Sequence, residues 1–356
     1  MGRDAPTIRA CGLGRSLLRF VALVVLMLAT NPGAAWQYLS PAIEPHGCVG
    51  VFTATGQDQS DFTDRRVKSH EVLFHPAPRS PQQLAGQSGP ESQGFLKTFL
   101  DMTPAELSKA VPELKHLKPA KSQDTLPLIL ERVGATVSDF FDNFSNATCT
   151  EHVVSSVDTP LKSVAHHYDV KFNYVALVER GSDKTLLRES RTDSKGEPIQ
   201  PRGAIVTTGF VALLAHFHPT YQRDSRFRYL GREVVKGQSS CVVAFVQRPG
   251  VARKVGRVTF DGKAGIVLAQ GVAWIDPVNF RILRLRTDIE QPDLHVGLQN
   301  ETTEVEYSEV TFKEGGKTLW LPREVTVRGQ LNKYRFLNHH AYSDYRLFVV
   351  KTEEKH

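Results

Sequence analysis

From Cys149 onward, apolar residues recur at every second position, and that period constrains the chain more than any other feature. Alternation of this kind belongs to strands with one face in a core and one in water. Tyr168 to Val178 is the clearest case: Val170, Phe172, Tyr174 and Ala176 fall on one face, and Lys171, Asn173 and Val175 on the other. Further strands are expected at Val153 to Val157, Thr185 to Arg191, Phe227 to Val235, Ser240 to Gln247, Arg257 to Phe260, Gly265 to Ala273, Arg281 to Thr287, Thr303 to Thr311, Trp320 to Val327 and Tyr334 to Val350. Lys236-Gly237, Asp261-Gly262, Asp276-Pro277-Val278-Asn279 and Glu314-Gly315-Gly316 supply the turns between them. Short turns and close strand spacing predict one strongly curved antiparallel sheet over residues 146–356. Gly209 to Phe217 interrupts it as an apolar, helix-like stretch stopped by Pro219.

Residues 93–145 follow a different rule. Thr103-Pro104-Ala105-Glu106 is a capping box with proline at the first helical position. Between Leu126 and Asn143, the apolar residues Leu130, Val133, Val137, Phe140 and Phe141 form one stripe at helical spacing. Residues 36–92 show little pattern and are rich in Gln, Ser, Pro, Asp and Gly, which reads as a flexible arm or linker. The expected class is therefore α+β: a half-barrel sheet, helices on its concave side, and an amino-terminal arm.

Residues 1–35 read as a secretory signal. Arg3, Arg9, Arg15 and Arg19 precede the apolar run Phe20 to Ala29, and Gly33-Ala34-Ala35 offers small residues for cleavage before Trp36. About ten apolar residues fall well short of the roughly 20 that span a bilayer. A secreted, periplasmic protein with no transmembrane span after signal removal is the expectation. Losing those four arginines and Asp4 lowers the formal charge from +6 to +3. No Lys/Arg-rich run marks a nucleic-acid surface. Cys48, Cys149 and Cys241 remain, an odd number for an oxidising compartment. A disulfide between Cys149 and Cys241 is one reading, and three buried thiols is the other.

Catalytic motifs are not recognised. The pairs His166-His167 and His339-His340 point to opposite faces of a strand, and His216 and His218 diverge at a helix end. There is no HExxH, no CxxC pair and no GxSxG elbow, and the glycines form no phosphate loop. No cofactor, metal or catalytic residue is read from the chain.

Three stretches within Phe227 to Val327 resemble the half-barrel family of envelope lipoprotein carriers, the lipoprotein-sorting chaperones and their relatives. They are Tyr229-Leu230-Gly231-Arg232-Glu233-Val234-Val235-Lys236-Gly237; Gly271-Val272-Ala273-Trp274-Ile275-Asp276-Pro277 leading into Phe280-Arg281-Ile282-Leu283-Arg284-Leu285; and Trp320-Leu321-Pro322-Arg323-Glu324-Val325. The chain as a whole also resembles long secreted bacterial proteins of unassigned function. The resemblance implies a non-enzymatic carrier or binding module for an apolar ligand, a lipid or an acylated protein. It implies a cavity between sheet and helices, walled by Leu130, Val133, Val137, Phe140, Phe141, Phe210, Leu213 and Leu214. Arg226, Arg228, Arg284 and Arg286 would form a basic rim for anionic headgroups; ion pairs of an ordinary solvated face are the plainer account of them. A structural or protein-interaction component of the envelope with a filled core is the alternative, and a hydrolase with an unrecognised site the third reading.

Overall fold

The computed structural model describes residues 49–54, 70–74, 97–159, 162–180, 185–193, 196, 199, 207–260, 263–312 and 316–348. All lie in one of the two compact units of the chain, His46–His356. The expected signal at residues 1–35, Cys11 and Cys48 fall outside the described residues.

In chain order the elements are β1 (Val49–Ala54), β2 (His70–Phe74), helix α1 (Pro104–Ala110), a 3-10 turn (Pro112–Leu114), β3 (Lys118–Pro119), α2 (Leu126–Asn143), β4 (Ala147–Thr159), β5 (Lys162–Arg180) and β6 (Thr185–Thr192). A second 3-10 turn (Ala212–Phe217) and the short helix α3 (Pro219–Gln222) lead into the meander. Its strands are β7 (Ser225–Val235), β8 (Gln238–Gln247), β9 (Lys254–Phe260), β10 (Lys263–Val267), β11 (Ala269–Ile275), β12 (Ile282–Ile289), β13 (Leu298–Thr311), β14 (Thr318–Leu331) and β15 (Tyr334–Leu347). Twelve strands form one curved antiparallel sheet in the order β2-β6-β5-β4-β15-β14-β13-β12-β11-β8-β7-β3. A smaller sheet takes β1-β9-β10.

Three features differ from the sequence reading: two strands in the expected linker, one expected strand that is two, and a helix, α1, that packs on the face opposite α2 and not on the concave side with it. β1 and β2 are strands inside the stretch expected to be a linker; at six and five residues they are too short for their alternation to stand out. The single strand expected from Gly265 to Ala273 is two strands. The chain changes sheet at Leu268, whose carbonyl accepts from the Glu290 amide at 2.8 Å. β10 then completes a hairpin with β9, while β11 enters the large sheet between β8 and β12.

α2 and the segment 207–217 cover one face of the sheet, called the inner face below. Ile129, Val133, Val137 and Phe141 are the buried residues of α2, and they pack with Cys241, Val243, Phe245, Ala273, Leu285 and Val305. α1 lies on the opposite, outer face. Its Leu107, with Val111 and Leu114, packs on Val242, Ala244, Val272 and Trp274. Helices therefore flank both faces, so β8 and β11 are buried on both sides, the pattern of a strand inside a layered core. The capping box forms as expected: the Thr103 hydroxyl accepts from the Glu106 amide, and Glu106 Oε2 accepts from the Thr103 amide at 2.7 Å.

Candidate functional site

Most of the described apolar residues of the inner face are buried in one core cluster. A groove of about 380 Å³ opens between the second half of α2 and the first residues of β12 and β14. Val137 and Phe140 of α2, Leu214, Ile282, Leu319 and Trp320 make its apolar wall. Trp320 is anchored by Nε1, which donates to the Ile282 carbonyl at 2.7 Å. The Arg281 guanidinium lies 5.3 Å from the centre of the Trp320 ring, and Glu309 holds that guanidinium at 2.9 Å. Phe140 meets Phe141 and Phe144 edge to face at 5.1 and 5.2 Å. The Asp276–Arg281 turn closes one side: Asp276 Oδ1 accepts from the Val278 amide at 2.7 Å, which makes Asp276 a turn residue. The volume is at the lower end of the roughly 300–1,000 Å³ typical of small-molecule sites.

Of the eight expected wall residues, Val137, Phe140 and Leu214 line this groove. Val133, Phe141, Phe210 and Leu213 are instead sealed in the core, and Leu130 packs half-buried against it. The reason is the pitch of α2. Ile129, which the stripe omitted, turns inward with Val133, and Leu130 and Phe140 turn to the flanks.

The basic rim needs a larger correction. Side chains alternate along a strand, and all four arginines project away from the inner face. Arg228 lies opposite Ala244 and donates to the carbonyls of Leu100 and Met102 at 3.0 and 2.9 Å. Arg286 lies opposite Val272 and pairs with Asp288 and Glu113 while donating to the Ala110 carbonyl. Arg226 lies opposite Val246, and its charge acts on Glu290. These three clamp or flank the α1 side. Only Arg284, opposite Trp274 and 5.6 Å from its ring centre, borders a recess.

The bridge between Cys149 and Cys241 is not formed; both thiols are free and buried. They sit on β4 and β8, six strand steps apart in the sheet, at about 4.8 Å per step. A disulfide tolerates only about 4.4–6.8 Å between Cα atoms. Burial pushes the ionisation of both thiols to higher pH and disfavours the thiolate, so neither is an activated nucleophile.

Sequence reasoning missed an enclosed polar cluster on β4, β6 and β15. Glu151 accepts from Arg191 Nε and Nη2 at 2.5 and 2.6 Å, from the Tyr342 hydroxyl at 2.9 Å, and bonds His340 Nδ1 at 2.8 Å. Burial pushes the Glu151 carboxyl up, but Arg191 and His340 outweigh it and hold it at about 2. Burial likewise keeps His340 below its usual range. Glu151 shares its face with Cys149 and Val153, so its inward register was available from the alternation had the strand been started four residues earlier. Among the described residues, no group of three or more metal-ligating side chains converges.

No protein-family model matches the chain, and no curated protein sequence matches it. Solved structures similar to it include the following three. A DUF1329-family protein from Desulfovibrio piger has 11% identity over 64% of this chain and 95% of its own, with a TM-score of 0.35. A domain named as a candidate outer membrane lipoprotein-sorting protein from Vibrio parahaemolyticus has 12% identity over 63% and 94%, with a TM-score of 0.32. A LolA-superfamily protein from Nitrosomonas europaea has 12% identity over 62% and 94%, with a TM-score of 0.27.

Proposed function

We propose that this protein is a secreted, non-enzymatic carrier or binding module of the cell envelope that takes an apolar ligand, a lipid or the acyl chain of a protein, into the α2 groove. The observation that carries the reading is the groove itself, an apolar-walled recess between α2 and the sheet. The ligand class follows from the lining. Six of the lining side chains, Val137, Phe140, Leu214, Ile282, Leu319 and Trp320, are apolar, and the others are polar. Each methylene buried there contributes about 0.8 kcal/mol, so a chain of moderate length needs few polar contacts to bind. Among the described residues no helix is long and apolar enough to cross a membrane.

Native mass spectrometry with lipid extraction tests the reading on protein isolated from its own cells. The expected result is a stoichiometric lipid or acyl adduct in the wild type and at least tenfold weaker uptake in Phe140→Asp, with circular dichroism unchanged. An apo mass that takes up neither added fatty acids nor phospholipids rejects it. The choice then falls to an interaction protein of the envelope, a reading that the sealed packing of Val133, Phe210 and Leu213 favours.

A further inference from the structure

A second recess, of about 330 Å³, opens where the β7–β8 turn meets β12, β13 and β14. Three cations converge in it on one carboxylate. Arg284 and Glu306 are cross-strand partners with Arg284 Nη2 at 2.7 Å from Oε1, Arg323 Nη2 is 3.0 Å from Oε2, and Lys236 Nζ bonds the same oxygen. Their combined pull outweighs the burial that raises Glu306 and keeps its carboxyl at about 2. Glu309, also in the lining, is taken by Arg281, and Glu324 lies 3.6 Å from Arg323. Among the charged residues that line the recess, three cations, Lys236, Arg284 and Arg323, face two carboxylates, Glu306 and Glu309. Each guanidinium has five N–H donors and the lysine three, of which Glu306 occupies only part. The recess therefore has both charge and free donors for an anion.

Trp320 lines this recess and the apolar groove alike. Its Nε1 is held by the Ile282 carbonyl, so the fixed ring is a wall common to the two spaces. We propose that the recess formed by Lys236, Arg284 and Arg323 receives the anionic headgroup, carboxylate or phosphate, of an amphiphile whose tail occupies the α2 groove. The inference rests on the reading of that groove as the ligand site, and it adds a requirement that the ligand be charged. It also relocates the basic end of the site from Arg226, Arg228 and Arg286 to residues on the β7–β8 turn and β14.

Binding of dodecanoate, dodecyl phosphate, dodecanol and inorganic phosphate, followed by Trp fluorescence and calorimetry below micellar concentrations, separates the cases. The variant is the pair Lys236→Gln and Arg323→Gln, whose side chains are 56% and 45% exposed and can be changed without unfolding the sheet. The wild type is expected to bind dodecanoate or dodecyl phosphate at least tenfold more tightly than dodecanol, with the preferred anion identifying the headgroup. The double variant is expected to lose that preference while keeping its dodecanol affinity. Equal binding of dodecanol and the two anions in the wild type overturns the headgroup site and leaves the groove reading intact. Binding of inorganic phosphate as tight as that of dodecyl phosphate overturns it in favour of a free-anion site. Failure of all three dodecyl probes rejects the groove reading, and the headgroup assignment falls with it.

Discussion

Glu151 and Glu301 are both enclosed, and burial acts on them with opposite outcomes. At Glu151 the cost of burial is overcome by Arg191, His340 and Tyr342, and the carboxyl is held at about 2. At Glu301 burial alone acts, and it pushes the carboxyl up to about 7. The consequences for stability have opposite signs. Glu151 titrates below its ordinary 4.5, so its contribution is present above that pH and is lost as pH falls from 4.5 towards 2. Glu301 titrates above its ordinary 4.5, so its contribution is fully present below 4.5 and is lost as pH rises through 7. Glu301→Gln is therefore expected to leave urea stability unchanged at pH 4 and to raise it at pH 8 by about 3 kcal/mol, at 1.36 kcal/mol per pH unit. Glu151→Gln strands a buried arginine and is expected to cost about 3–5 kcal/mol at pH 7, the loss shrinking towards pH 2. A Glu301→Gln protein no more stable than wild type at pH 8 would show that the buried carboxylate already has a compensating partner. Neither residue announces itself in the sequence, because a charged residue at an inward strand position looks like a break in alternation until the strand's register is known.

At the scale of elements, α1 links local sequence to the outer core. Pro104 presets the first turn, Thr103 and Glu106 satisfy each other's amides, and Lys97 holds the same carboxylate at 2.7 Å. Leu107, Val111 and Leu114 then cover Trp274, whose Nε1 donates to Glu233 Oε2 at 2.9 Å. Thr103→Ala is expected to cost about 1 kcal/mol, and Leu107→Ala about 2–5 kcal/mol. Chemical denaturation measures both, and Trp emission should shift to the red only in the second. Equal small losses in the two would mean that α1 contributes little beyond its cap. The cap and the strands were legible because both depend on neighbours within a few residues. The face on which α1 docks was not, since an amphipathic helix carries no mark of which side of a sheet it will cover. The same limit misplaced the basic rim. Arg226 with Arg228, and Arg284 with Arg286, each stand at strand spacing, but only the pairing of Arg228 with Ala244 and Arg286 with Val272 reveals their face.

At the scale of the molecule, β15 is the strand on which the sheet depends. It lies between β14 and β4, so it is the link within the sheet between β2-β6-β5-β4 and the meander that follows. Its inward residues are also the partners of the amino-terminal strands. Asn338 accepts from the Ser155 hydroxyl at 2.6 Å, and His340 and Tyr342 bond Glu151. The pairing of Arg335 with Asp158 and of Leu347 with Ala147 joins positions 177 and 200 residues apart in sequence. Such non-local pairing makes closure slow and late. Until it occurs, β4 and β14 present long unpaired edges, which are templates for association. A chain stopped after Leu331 retains every groove residue but lacks this strand. It is expected to lose cooperative unfolding and to aggregate at concentrations where the full chain is monomeric, as read by urea denaturation and light scattering. A soluble monomer with a single sharp transition would instead mean that the two halves of the sheet are stable independently, and that α2 and residues 207–217, with the Tyr307 hydroxyl bonded to the Phe210 carbonyl at 2.9 Å, suffice to hold them together.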